Sequence, residues 1–140
     1  MKASAVLPVL TEDQEQEALF RWAAVTAFKY PDLKMLYACP NGGLRNITTA
    51  VRLKATGVKA GVPDVCLPVP SGKYHGLYIE MKRVKGGQLS QFQRSWLQAL
   101  SKQGYLAVVA HGANEAIKVI TEYLTEKEKE NTKNIYNAVR

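Results

Sequence analysis

The segment Leu77-Tyr78-Ile79-Glu80-Met81-Lys82 alternates strictly between apolar residues and residues with a polar group. A strand turns successive side chains to opposite faces, so Leu77, Ile79 and Met81 share one face and Tyr78, Glu80 and Lys82 the other. The first face needs a core, and the second carries two charges that need partners wherever they are covered. Gly86-Gly87 then marks a bend, and Ser90 is placed to cap a helix that carries Phe92, Trp96, Leu97 and Leu100 inward and ends near Gly104. Residues 105–110 read as a second, buried apolar strand. A strand, a helix and a strand of these lengths predict a parallel pair joined by a crossover, which makes the chain α/β.

The flanking segments add to this unit. Thr11-Glu12-Asp13-Gln14 has the pattern of a helix start, with Thr11 as cap, Gln14 reaching back and acidic residues in the first turn. The helix is expected to run to about Phe28, burying Leu19, Trp22, Ala23 and Thr26, with Glu12, Glu15 and Gln16 extending that stripe toward its start; Pro31 ends it. Residues 36–38 read as a short strand, 44–56 as a short helix broken by Gly57 and Gly61, and 62–69 as a strand that Pro68 places at a sheet edge or at the strand's end. Residues 114–124 complete the set as an amphipathic helix. A single domain over 1–125 is expected, followed by a charged, exposed helical or frayed tail over 126–140. A length of 140 residues with 46% hydrophobic and 22% charged composition suits one core and excludes wholesale disorder.

The net charge of +7 is unevenly placed. Residues 1–30 hold 3 basic and 4 acidic side chains, 31–111 hold 11 and 3, and 112–140 hold 5 and 5, so the surplus lies in the middle segment. Basic charge so concentrated points to a polyanionic partner, because Lys and Arg contacts to phosphate supply most non-specific nucleic-acid affinity. Arg45, Arg52, Lys54, Lys59, Arg83 and Lys85 are the candidates for phosphate contact, with Asn41 beside the site. No apolar stretch approaches the ~20 residues of a membrane helix, and 5–10 is too short for a signal peptide, so a soluble, cytoplasmic protein with reduced thiols is expected. Cys39, Cys66, His75 and His111 lack the close-paired spacings that structural zinc favours.

Chemistry enters through register. If 64–69 and 77–82 are antiparallel neighbours turning about Gly72, paired positions sum to about 144 and Asp64 lies opposite Glu80. Facing residues hold their Cβ atoms roughly 4.5–5.5 Å apart, so two carboxylates there repel unless a cation sits between them. A divalent metal suits that place, and the Met81 carbonyl is a further oxygen donor. Lys82 emerges on the same face as Glu80, where an ammonium can orient an attacking water and stabilise a phosphoryl transition state. Each motif alone is weak, since a Pro-Asp is commonly just a turn and a Glu-x-Lys on a strand a solvated ion pair.

Gly61-Val62-Pro63-Asp64, Ile79-Glu80-Met81-Lys82, and Ser90 with Gln93 together resemble the PD-(D/E)xK nuclease pattern, and more narrowly the virus-type replication-repair nuclease (VRR-NUC) family. The likeness extends from the helix holding Glu12 and Trp22 through Asn41-Gly42-Gly43 and the run from Gly57 to Gly61, as far as Gly104-Tyr105 and the strand that follows. The resemblance implies a restriction-endonuclease-like core, a mixed β-sheet flanked by helices, with Mg²⁺ or Mn²⁺ held by Asp64 and Glu80 and with Lys82 as catalytic lysine. It also implies a catalytic role for Glu12, with Glu15 as the substitute, and for Gln93, which would bond the scissile phosphate or a water on the metal. Standalone members of the family resemble phage-encoded homodimers acting on branched DNA such as four-way junctions, so a metal-dependent endonuclease of this kind, working in a host cytoplasm, is the expectation. A module of the same fold that binds nucleic acid without cleaving it is the alternative.

Overall fold

A computed structural model describes residues 6–41 and 47–139. The element order is α1 (Glu12–Thr26), a 3₁₀ turn (Pro31–Met35), β1 (Tyr37–Ala38), α2 (Ile47–Ala55), β2 (Val65–Leu67), β3 (Leu77–Lys82), α3 (Gln91–Lys102), β4 (Leu106–His111) and α4 (Ala113–Val139). The strands form one mixed sheet in the order β1-β2-β3-β4, antiparallel up to β3 and parallel between β3 and β4. The expected α/β class, the mixed sheet with flanking helices and the parallel crossover pair are all present.

One face of the sheet is closed. Leu77, Ile79 and Met81 of β3 and Val65 and Leu67 of β2 are buried beneath Leu19 and Ala23 of α1 and Ala116, Ile120 and Leu124 of α4. Glu15, one turn before Leu19, is buried as well and accepts a hydrogen bond from the backbone N–H of Ala113. A carboxylate there satisfies an otherwise orphaned donor at the start of α4 and faces the positive end of its dipole. The hairpin between β2 and β3 docks on the same helix: Ser71 Oγ donates to the Tyr123 carbonyl at 2.6 Å, and the Tyr123 hydroxyl donates to the Val69 carbonyl at 2.6 Å.

Several boundaries differ from expectation, each for a packing reason. α1 stops at Thr26 rather than Phe28, because Lys29 and Tyr30 turn back onto the Thr26 carbonyl ahead of Pro31. Phe28 is left exposed, and Trp22 and Thr26 are half-buried at the margin of the core. β1 and β2 are shorter than 36–38 and 62–69, and Pro68 lies just past the end of a central strand. The expected helix over 44–56 is seen as α2, while its lead-in, with Arg45, Gly42 and Gly43, lies outside the described residues.

The inward face of α3 is corrected most. No residue of that helix is fully buried: Trp96, Leu97 and Leu100 are half-covered and Phe92 is 66% exposed. β4 is likewise half-covered from Leu106 to Val109, with Ala110 buried and His111 exposed. β4 ends the sheet among the described residues, with a strand neighbour on one side only and with α3 and α4 both packed on it, and α3 has β4 as its main neighbour. The expected exposed helical segment after residue 126 is helical and mostly exposed, and it continues the helix expected over 114–124, so that one helix, α4, runs to Val139. Lys127 pairs with Asp32 at 2.7 Å, and Glu130 accepts from the Gly72 N–H at 2.9 Å, tying the middle of α4 to the turn after α1 and to the hairpin.

Candidate active site

The other face of the sheet gathers the polar residues of β3 with the residue that leads into β2. Val65 pairs with Ile79, so the next position places Asp64 against Glu80, the register expected from Gly72 as midpoint. The Cys39 N–H donates to the Asp64 carbonyl at 2.8 Å, which carries the β1–β2 ladder one residue further and holds this end of the strand. Asp64 Oδ2 accepts from the Met81 N–H at 2.8 Å, and Oδ1 accepts from Asn41 Nδ2 at 2.8 Å.

Glu80 is almost wholly buried. Its Oε1 accepts from Gln93 Nε2 at 2.7 Å and lies 3.5 Å from Lys82 Nζ, while Oε2 has no hydrogen-bond donor among the described residues. Lys82 Nζ, also buried, donates to Gln93 Oε1 at 3.3 Å and stands 3.6 Å from Glu12 Oε1, whose side chain is 44% exposed. Asp64, Glu80, Lys82, Gln93 and Glu12 therefore converge. Glu15 does not join them, because its carboxylate is engaged with the start of α4.

Electrostatics at the pair follow from burial. Burial pushes the Glu80 carboxyl up to about 8, and the nearby Asp64 raises it further against the opposing pull of Lys82. Asp64 is also raised, by burial above all, with the Met81 N–H opposing. Two carboxyls this close repel when both are ionised, and Glu80 Oε2 has no donor among the described residues, so both features favour the protonated form of Glu80.

The residues fit a hard divalent cation. Oε2 of Glu80 is a buried, unpartnered oxygen beside a second carboxylate, and oxygen donors are what Mg²⁺ or Mn²⁺ takes. The Lys82 carbonyl accepts from Gly112 on the β4 side, whereas the Met81 N–H points to Asp64. Strand alternation therefore turns the Met81 carbonyl toward Asp64, with its side chain in the core.

Gln93 arises from a local motif as well as a tertiary one. Ser90 accepts from the Gln93 N–H, and Gln93 Oε1 accepts from the Ser90 N–H at 2.9 Å, a reciprocal capping box. The helix start thus fixes the amide that bridges Glu80 and Lys82. The Ser-x-x-Gln spacing is a sequence signal for this cap. Cys39 beside Asp64 had no such signal, since β1 is only two residues long; burial pushes its thiol up to about 11, with Cys66 and Asp64 adding to the shift.

The basic candidates stand exposed on both sides in sequence. Arg52 and Lys54 on α2 and Lys59 after it precede Asp64, and Arg83 and Lys85 follow Lys82. Arg83 lies against Thr11, Glu12 and Asp13 at the start of α1. Among the described residues no helix is long and apolar enough to cross a membrane.

Comparison with known proteins bears on this site. The family model for the VRR-NUC domain matches residues 2–114. The chain belongs to the VRR-NUC family. A solved structure described as a VRR_NUC domain protein is similar to it at 34% identity and a TM-score of 0.72, over 84% of this chain and 91% of that one. No curated protein matches. VRR-NUC domains are nucleases that act on DNA and generally use divalent metals, so the chain carries a nuclease-type function.

Proposed function

We propose that the protein is a Mg²⁺- or Mn²⁺-dependent endodeoxyribonuclease that hydrolyses phosphodiester bonds in branched DNA, working as a homodimer in phage replication, recombination or repair. The observation that carries the reading is the buried Oε2 of Glu80, without a donor among the described residues and set against Asp64, with the Lys82 ammonium 3.5 Å from the other oxygen. Asp64, Glu80 and the Met81 carbonyl would hold the ion. When bound, the ion supplies Lewis acidity toward a phosphate oxygen and lowers the pKa of water.

Lys82 has the complementary task. Its ammonium is stripped of most of its water and held by Gln93, Glu80 and Glu12, so it is directed at the same face. A preorganised cation there stabilises the negative charge that grows on the phosphoryl oxygens. Gln93 ties Glu80 to Lys82 through its two amide atoms, which keeps metal ligand and ammonium at fixed separation. Glu12, whose side chain is 44% exposed, is placed to orient Lys82 or to accept a proton from an incoming water. Arg52, Lys54, Lys59, Arg83, Lys85 and, outside the described residues, Arg45 would hold the DNA backbone.

Labelled linear, flapped and four-way DNA incubated with Mg²⁺ or Mn²⁺ tests the reading. The expected result is ion-dependent cutting that a chelator stops, strongest on the branched substrates. Salt-sensitive binding without cutting in either ion would instead mark a non-catalytic DNA-binding module. Sedimentation with and without a junction tests the dimer, which is expected at twice 15.5 kDa.

A further inference from the structure

Phe92 is the large apolar residue of α3 expected inward and found 66% exposed. It does not stand alone. With Ala50 and Leu53 of α2, and with Val58, it lines an open pocket of about 570 Å³ whose rim carries Lys54 and Lys59. Gly61 makes the pocket's geometry: with a φ of +87°, it sits so close to the first turn of α3 that a Cβ there would lie 2.5 Å from the Phe92 carbonyl carbon. A residue with a side chain would push the loop off the helix, whereas glycine both takes the left-handed backbone and allows the approach. The pocket is therefore joined to the site on both sides, since Asp64 follows Gly61 by three residues and Gln93, bonded to Glu80, follows Phe92 directly.

Apolar walls with an exposed aromatic ring and a rim of two lysines match one kind of ligand in particular. A phosphate group would be poorly received by the walls and a greasy peptide would leave the lysines unmatched, but a nucleotide has a flat π-face between two phosphates. A base inside a duplex cannot present that face, so the nucleotide has to be unpaired. We propose that this pocket receives an unpaired nucleobase of the DNA substrate, stacked on Phe92, with Lys54 and Lys59 on its flanking phosphates. The inference rests on the reading of the protein as a DNA nuclease and deepens it: the preferred substrates are those with an unpaired nucleotide beside the scissile bond, as at a flap or a branch point. Phe92 is then a positioning residue, acting on where the strand lies.

A thermodynamic cycle between protein and DNA tests it. Affinity is measured in Ca²⁺ for flapped oligonucleotides in which a single abasic site is moved along the strand at the branch, using the parent and Phe92→Ala. Stacking of a base on an aromatic side chain is large enough that, at one position, the abasic site is expected to weaken parent binding by roughly fivefold or more. Phe92→Ala should show the same loss with the base present and no further loss without it, and Phe92→Tyr should restore the parent behaviour. Additive losses at every position, or no binding to any flap, would overturn the proposal. Coupling without cutting in Mg²⁺ or Mn²⁺ would leave the pocket standing and remove the nuclease reading. Cutting without coupling would do the reverse.

Discussion

Strand β3 presents two chemistries, and its neighbours treat them differently. Leu77, Ile79 and Met81 face α1 and α4 and are fully covered by apolar side chains. Glu80 and Lys82, interleaved with them, are as deeply buried by residue but face other polar groups, and one Glu80 oxygen has no donor among the described residues. Burial on the first face stabilises the fold; burial on the second raises the energy of a charged group and keeps it ready for a ligand. The comparison assigns stability and function to alternate residues of one strand.

Substitutions on the two faces should therefore separate the two properties. The largest effect is expected from Glu80→Ala or Lys82→Ala, which should reduce cleavage by on the order of 10³-fold while circular dichroism shows a folded protein. DNA binding in Ca²⁺ by Lys82→Ala should be largely kept; loss of the fold in both variants would erase the distinction between the faces. Ile79→Ala, one residue away, should lower unfolding free energy by about 2–5 kcal/mol in urea titrations and leave the cleavage rate of the folded fraction unchanged.

The two capping boxes sharpen the comparison further. Thr11 with Gln14 and Ser90 with Gln93 make the same reciprocal bonds, but only Gln93 also reaches Glu80 and Lys82. Replacing either glutamine by alanine should cost each helix about 0.3–1.5 kcal/mol. Gln93→Ala should in addition lower cleavage by about 10–100-fold, the usual weight of a group that orients a metal ligand, and Gln14→Ala should not.

The smallest effect concerns pH. The Glu80 carboxyl is raised in the fold from 4.5 to about 8, so the folded state holds a proton that the unfolded chain has already released. Without metal, its contribution to stability is full below about pH 4.5 and lost as pH rises toward 8. The melting temperature in chelator should accordingly fall across that window, and Glu80→Gln should flatten the fall. Mg²⁺ competes with that proton, so the upward shift in melting temperature that it produces should be larger at pH 8.5 than at pH 6.

Much of this was legible in the residue order, and the gaps have a common cause. The alternation from Leu77 to Lys82 set the two faces, and the midpoint at Gly72 set the register that brings Asp64 to Glu80. Ser90 and Thr11 marked helix starts through local chemistry that the fold keeps. The coverage of α3 and β4 was not legible, because periodicity tells which face is apolar and not whether another layer lies over it. Phe92 and Val109 read as core for that reason and stand at an open edge. β1, at two residues, is too short to carry a pattern, so Cys39 next to Asp64 had to await the ladder. The contacts of Lys127 with Asp32 and of Glu130 with Gly72 link α4 to residues far away in sequence, and those partners are likewise invisible to local reading.

The pairing of Asp64 with Glu80 is tested most directly by Mn²⁺ binding, followed by electron paramagnetic resonance in the parent, Asp64→Asn and Glu80→Gln without DNA. Each variant removes one charge with little change in shape. A saturable Mn²⁺ site in the parent that weakens at least about tenfold in both variants, with the fold unchanged, is the expected result. Equal Mn²⁺ binding by all three proteins would contradict it.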